Sequence, residues 1–232
     1  QRELNPPTPQ PGLRLRGKDR LLRRSSFGWS FDSPAKNELE SVDPIYLYNK
    51  DLNAQESMNF ELGIKGFLMK RDRNVFRKVL FEATLFDILI DNEIVPFEVF
   101  GDVFFRNAAR TNRYGLELGT NLEVYRGFDF ILSYAYSNFT YQDYEAKVIS
   151  VDAEGNIIEE DQDFSGNVVP SVPKHNLYLA MSYAYPFHQK VNGFIRLSYR
   201  NISSLWVDDA NSEKTDAYDI VNALLGMDLR FG

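Results

Sequence analysis

The side chains that could do chemistry in this chain are short carboxylate runs, two histidines and a band of arginines. Asp208-Asp209 and Glu159-Glu160-Asp161 place carboxylates side by side, and paired carboxylates can divide general acid and base roles. Both runs lie in polar stretches without apolar cover, where adjacent carboxylates read as solvated. The same oxygens could ligate Ca²⁺, but the spacing lacks the EF-hand pattern. His175 and His188 have no Asp or Glu at helical or hairpin metal spacing. His175 reads as the lead-in to a strand and His188 as a solvated turn residue. There is no cysteine, hence no disulfide framework and no thiolate site. No G-x-S-x-G, P-loop or dinucleotide fingerprint is present. Asn201-Ile202-Ser203 fits a glycosylation sequon by coincidence. No catalytic residue, metal or cofactor is assigned, and the expectation is a protein that is not an enzyme. Binding remains. The polar run from Arg106 to Arg113 offers Arg106, Asn107, Arg110 and Arg113 as ligand contacts. A second polar stretch offers Trp206, Asp208 and Asp209.

The elements that must position these residues are strands. From Tyr114 to Tyr136 two alternating segments meet at a turn, Tyr125-Arg126-Gly127. Leu116, Leu118, Leu122 and Val124 share one face, opposite Glu117, Gly119, Asn121 and Glu123. Phe128, Phe130, Leu132, Tyr134 and Tyr136 share the next, opposite Asp129, Ser133 and Ala135. Such alternation is the mark of a sheet with one apolar face. It persists for about twice the roughly 5–6 residues of a soluble strand, and a tilted strand crosses a bilayer in about 9–11.

Similar strands are expected over Leu21–Phe31, around Met58–Ile64, over Val79–Val95, and up to Val124 from Phe104. Others are expected at Phe128–Tyr141, Leu177–Tyr185, Ile195–Tyr199 and Val221–Phe231, about eight in all. Val79–Val95 carries apolar residues on both faces, so a helix competes there; its β-branched content favours a strand. Pro96–Val103 reads as a connection and 142–173 as a long acidic excursion. Residues 1–12 hold four prolines and read as a loop. The basic run at 13–24 reads as a solvated face. Glu61, Lys65, Glu117, Glu123, Arg196, Arg200 and Arg230 should line a polar lumen.

Connections alternate long and short. Bacterial barrels have short periplasmic turns and longer outer loops. Sorting the long class outward makes the outer loops acidic and leaves Lys70, Arg71, Arg73, Arg77, Lys78, Arg126 and Lys190 on the inner turns. Aromatic content is 14% and hydrophobic content 44%, without an apolar run long enough for a membrane helix. The net charge of −7 disfavours nucleic acid as a partner.

Four blocks resemble those of TonB-dependent outer-membrane receptors. Asn59-Phe60-Glu61-Leu62-Gly63-Ile64-Lys65-Gly66 is similar to the N-x-E-x-G-x-K-G strand. Arg106-Asn107-Ala108 with Tyr114-Gly115-Leu116-Glu117 is similar to R-N-A-G…G-x-E, with Ala109 at the usual second glycine. Pro170-Ser171-Val172-Pro173-Lys174-His175 matches P-x-V-P-K-H. Val207-Asp208-Asp209-Ala210-Asn211, then Tyr218-Asp219-Ile220-Val221-Asn222, is similar to D-x-N…Y-x-x-x-N. The blocks span residues 57–232 in family order; residues 1–56 match loosely.

The resemblance implies an all-β, antiparallel, up-and-down transmembrane barrel segment. Residues 1–35 would be an N-terminal loop and first strand, and 36–232 the rest. The family barrel has about 22 strands around a plug, and the plug, the TonB-contacting box and the final strands are expected to lie outside this chain. The implied function is energised import of a scarce nutrient, most naturally a ferric siderophore, across the bacterial outer membrane. Implied partners are outer-membrane lipid, an iron-siderophore or similar small ligand, and the TonB complex acting through the plug. The alternative is a passive porin or surface-binding barrel without TonB coupling.

Overall fold

A computed structural model describes residues 12–16, 21–39, 52–69, 76–99, 102–124, 127–151, 157–189 and 191–229. The described residues form eleven strands: β1 (Gly12–Arg16), β2 (Leu21–Asp32), β3 (Gln55–Met69), β4 (Phe76–Val99), β5 (Asp102–Val124), β6 (Phe128–Asp143), β7 (Glu145–Val151), β8 (Ile157–Asp163), β9 (His175–His188), β10 (Val191–Ile202) and β11 (Tyr218–Leu229). Nine of them pair in one sheet in the order β1-β2-β3-β4-β5-β6-β9-β10-β11, and β7-β8 form a separate ribbon. Every pairing is antiparallel. The sheet is open, bounded by β1 and β11 among the described residues.

The eight expected strands are present as β2 to β6 and β9 to β11. The structure adds β1, inside the basic run, and the β7-β8 ribbon, inside the excursion at 142–173. It also replaces the connection expected at Pro96–Val103 by strand up to Val99 and from Asp102. No helix forms over Val79–Val95, which pairs on both sides. The inner-turn residues Lys70, Arg71, Arg73, Arg126 and Lys190, and the lumen residue Arg230, lie outside the described residues.

Alternation in sequence becomes segregation in space because the registers keep like faces together. Val79, Leu122, Phe130, Met181, Leu197 and Ala223 form one row across six strands. Lys65, Glu82, Gly119, Ser133, Tyr178 and Arg200 form a row on the opposite face. The apolar face is largely solvent-accessible, with Phe27, Trp29, Phe60, Leu62, Leu225 and Met227 all exposed. Apolar area on that scale is unfavourable in water and suits contact with hydrocarbon. The polar face pairs its own charges: Lys65 Nζ lies 2.9 Å from Glu82 and Lys78 Nζ 3.2 Å from Glu123. Glu61 accepts from Ser26 Oγ at 3.1 Å.

Two glycines are required by geometry. Gly127 opens β6 with φ +84°, and a Cβ there would lie 2.5 Å from the Ala184 carbonyl oxygen. Gly115 packs under the Phe86 ring, where a Cβ would meet Phe86 Cζ at 2.5 Å and the Tyr136 carbonyl oxygen at 2.3 Å.

β4 and β5 have 24 and 23 residues. At about 3.3 Å per residue they are roughly 75–80 Å long, well beyond a bilayer. At the end away from the Gly127 turn, Val95, Ala108, Tyr141, Tyr144, Phe164 and Val169 form a buried cluster. A membrane wall needs no interior of its own, so the packed core of this chain lies in the projecting strands and loops.

Candidate functional site in the outer loops

The projecting end is built where the sheet becomes irregular. Asn92 in β4 takes φ 55°, a left-handed conformation that Asn tolerates. The β5-β6 register shifts at Arg110/Thr111. Above this level β4 and β5 continue as a long hairpin, and the chain leaves β6 for the β7-β8 ribbon.

Each candidate on β5 is engaged within the chain. Arg106 Nε donates to Tyr144 Oη at 2.7 Å and Nη1 to the Lys147 carbonyl at 2.8 Å. Its guanidinium lies 4.6 Å from the Phe97 ring centroid. Asn107 Nδ2 donates to the Asn92 carbonyl at 2.7 Å and the Asn53 carbonyl at 3.0 Å, while its Oδ1 accepts from Asn53 N at 2.8 Å. It thereby holds both the left-handed residue of β4 and the segment before β3. Arg110 Nε donates to Asp91 Oδ1 at 2.8 Å across the β4-β5 pair. That bond raises the guanidinium pKa above its ordinary value. Arg113 pairs with Glu93, which also accepts from the buried Thr111 hydroxyl. The Arg113 guanidinium lies 5.3 Å from the Phe139 ring.

The loop after β10 supplies the others. Asp208 accepts from Ser212 N at 2.8 Å, Ser212 Oγ at 2.5 Å and Glu213 N at 3.1 Å. These donors, the Ser212 hydroxyl first, hold its carboxyl below the usual carboxylate range. Asp209 faces the other way. Its Oδ1 accepts from Tyr141 Oη at 2.7 Å, its Oδ2 accepts from Tyr144 Oη at 3.2 Å, and Arg106 Nη2 lies 3.9 Å from Oδ2. Burial, followed by the adjacent Asp209 carboxylate, pushes both phenols well above the ordinary tyrosine range. Trp206 is half-buried, with Lys214 Nζ 4.9 Å above its ring.

The structure therefore joins Arg106 to Asp209 and leaves Asn107, Arg110, Arg113, Trp206 and Asp208 each with separate partners. Tyr141, Tyr144, Glu93, Asn167 and Asn211 complete the assembly and were not among the sequence candidates. The D-x-N spacing of Asp209-Ala210-Asn211 was the available signal. Asn211 makes a two-way clip with Val168, donating to its carbonyl and accepting from its N–H, both at 2.8 Å. His175 is a strand lead-in. Its N–H donates to Ser203 Oγ at 3.0 Å, and its ring lies beside Tyr134 Oη at 2.8 Å.

Among the described residues no group of three or more His, Asp or Glu could hold a metal ion. The arrangement is a braced platform of charged, amide and phenol groups.

Residues 7–232 match the family described as TonB dependent receptor-like, beta-barrel. Among solved structures, the ferric yersiniabactin uptake receptor FyuA from Yersinia pestis is similar over 93% of this chain, with TM-score 0.64 and 16% identity. The siderophore receptor PiuA from Acinetobacter baumannii is similar over 93%, with TM-score 0.65 and 18% identity. The copper transporter OprC is similar over 90%, with TM-score 0.61 and 10% identity. At these identities the likeness is one of fold. The chain spans 28%, 28% and 29% of the three proteins respectively.

Proposed function

From the premise that this chain belongs to the TonB-dependent receptor β-barrel family, whose members are bacterial outer-membrane proteins, we propose that it is wall and outer-loop structure of an importer for a scarce nutrient. A ferric siderophore is the cargo we put first. The observation that carries the reading is the combination of two features in one sheet. Its lower part separates an exposed apolar face from a polar one, as a lipid-facing wall does. Its upper part rises into a packed, hydrogen-bonded loop assembly, which a passive wall does not require.

In this reading the outer loops and the plug capture cargo, and the TonB complex acts through the plug to open a path. The chain contributes binding surface and no chemistry on the cargo. Arg110, whose side chain is 59% exposed, and Trp206 are the proposed cargo contacts. Arg106, Asn107, Arg113, Asp208 and Asp209 hold the platform in shape. The siderophore assignment draws on the cargo of FyuA and PiuA, and OprC marks the competing cargo class, a transition metal.

The test is uptake by cells carrying or lacking the full-length receptor, under iron starvation, with and without TonB. Ferric siderophore uptake that needs both the receptor and TonB is the expected result. Receptor-dependent uptake that survives loss of TonB would establish the passive-porin alternative. Dependence restricted to copper would overturn the cargo.

A further inference from the structure

Asp208 and Asp209 are neighbours in sequence with opposite connections. All of Asp208's side-chain partners are within five residues, at Ser212 and Glu213. Asp209's are 65 and 68 residues away, at Tyr144 and Tyr141. Asp208 folds its own turn. Asp209 leaves it.

We infer that Asp209 is a positioning residue that fastens the 203–215 loop to the outer end of β5 and to the excursion segments 142–151 and 157–173 held there, so that the three move as one body. The carboxylate stands between three elements: the end of β6, through Tyr141 and Tyr144; β5, through Arg106; and its own loop. Its side chain is 16% exposed and that of Arg106 is 19% exposed, while Tyr141 and Tyr144 are 1% and 0% exposed. Two buried phenols need an acceptor, and water does not reach them; a carboxylate placed between them meets both demands at once. Arg106 opposes the charge and also donates to Tyr144, so the same guanidinium orients one of the phenols.

Four further bonds run between the two loops. Asn167 Nδ2 donates to the Asp209 carbonyl at 2.8 Å, Asn211 clips Val168 twice, and Ser171 N donates to the Trp206 carbonyl at 2.8 Å. These bind loop to loop. Arg106 already joins the excursion to β5 through Tyr144 and the Lys147 carbonyl; Asp209 adds the 203–215 loop to that junction, and through Arg106 to Phe97 on the β4 side of the hairpin. A rigid element with shared contacts transmits displacement as a unit, whereas loops with separate anchors open separately. Cargo touching either loop would then be felt at the other and at the head of β5. That consequence rests on the proposed capture role; the joint motion does not.

The test is amide hydrogen exchange on the full-length receptor in detergent micelles, without cargo. Asp209→Ala is expected to speed exchange at least tenfold in 203–215 and also in 141–151 and 157–169. Asp208→Ala is expected to speed it in 203–215 only. Should Asp209→Ala fail to assemble, the Tyr141→Phe/Tyr144→Phe double variant keeps both rings and removes the two donors. The inference then requires faster exchange in 203–215, where neither substitution lies. Acceleration confined to 203–215 in Asp209→Ala, or an unchanged 203–215 in the double phenylalanine variant, would overturn it. Absence of receptor-dependent siderophore uptake in the wild type, with coupled exchange intact, would instead count against the cargo reading alone.

Discussion

Removing Glu93 should loosen the projecting hairpin without dismantling the wall. Its side chain is 8% exposed and its partner Arg113 is 28% exposed. Among the described residues Arg113 Nε is buried with no hydrogen-bond partner, so the contact with Glu93 is its main polar interaction there. Truncating one member of a buried pair typically costs about 3–5 kcal/mol, because a charge is left uncompensated. Arg113 retains a route to water, which favours the low end of that range. The Thr111 hydroxyl, fully buried, loses its acceptor as well, adding about 1 kcal/mol. Glu93→Ala should therefore cost about 3–4 kcal/mol of local stability, or roughly a hundred- to a thousandfold in the opening equilibrium. Exchange of the amides at 90–95 and 108–113 in the purified receptor reads this out, while those of β9 and β10 should stay unchanged. The double replacement Glu93→Leu/Arg113→Met removes both charges and should recover most of the loss, leaving the Thr111 contribution. Unchanged exchange in Glu93→Ala, or a double variant as fast as the single, would refute the argument that an uncompensated charge sets the cost.

Three other outcomes are expected. Gly115→Val should block assembly of a heat-resistant barrel, seen as loss of the fast-migrating folded band on a gel, because its Cβ would sit 2.3 Å from a backbone oxygen that has no alternative position. Asn107→Ala should release the segment around Asn53, speeding its proteolysis about tenfold, since two carbonyls and one N–H lose their partner together. Asp208 has a carboxyl pKa depressed in the folded state, so its contribution is present above the ordinary carboxylate pKa of about 4 and is lost as pH falls through the lower folded value. Protection of the 203–215 amides, taken relative to their intrinsic exchange rate at each pH, should accordingly fall in strongly acidic buffer in the wild type, with Asp208→Asn showing a weaker pH dependence.

The lipid-facing wall was legible because one requirement, apolar on one side and polar on the other, writes period two directly into residues such as Phe128, Phe130 and Leu132. The pattern blurred at Val79–Val95 for a physical reason. There Phe86 packs over Gly115 on the polar side and Ile90 is buried, so both faces of β4 carry apolar groups. β1 was hidden because Leu13 and Leu15 alternate with arginines over only five residues. The β7-β8 ribbon was hidden because its seven-residue strands are too short to span a bilayer, although the Gly155-Asn156 turn signal lay between them. For the loop assembly the family blocks marked positions such as Arg106 and Asp209 but not their partners. Tyr144 is 38 residues from Arg106, and Tyr141 is 68 from Asp209. Periodicity carries no information over such distances.

The sheet passes from β6 directly to β9, with Tyr136 beside His175, and the β7-β8 ribbon contributes no rung to it. Changes in the ribbon beyond Val148, which still packs on the buried cluster, therefore leave the register of the wall untouched. Each doubling of a flexible insertion adds only about 0.6 kcal/mol of closure entropy. The loop surface is thereby separable from the part that must satisfy the bilayer: one can change in length and charge without moving the register of the other.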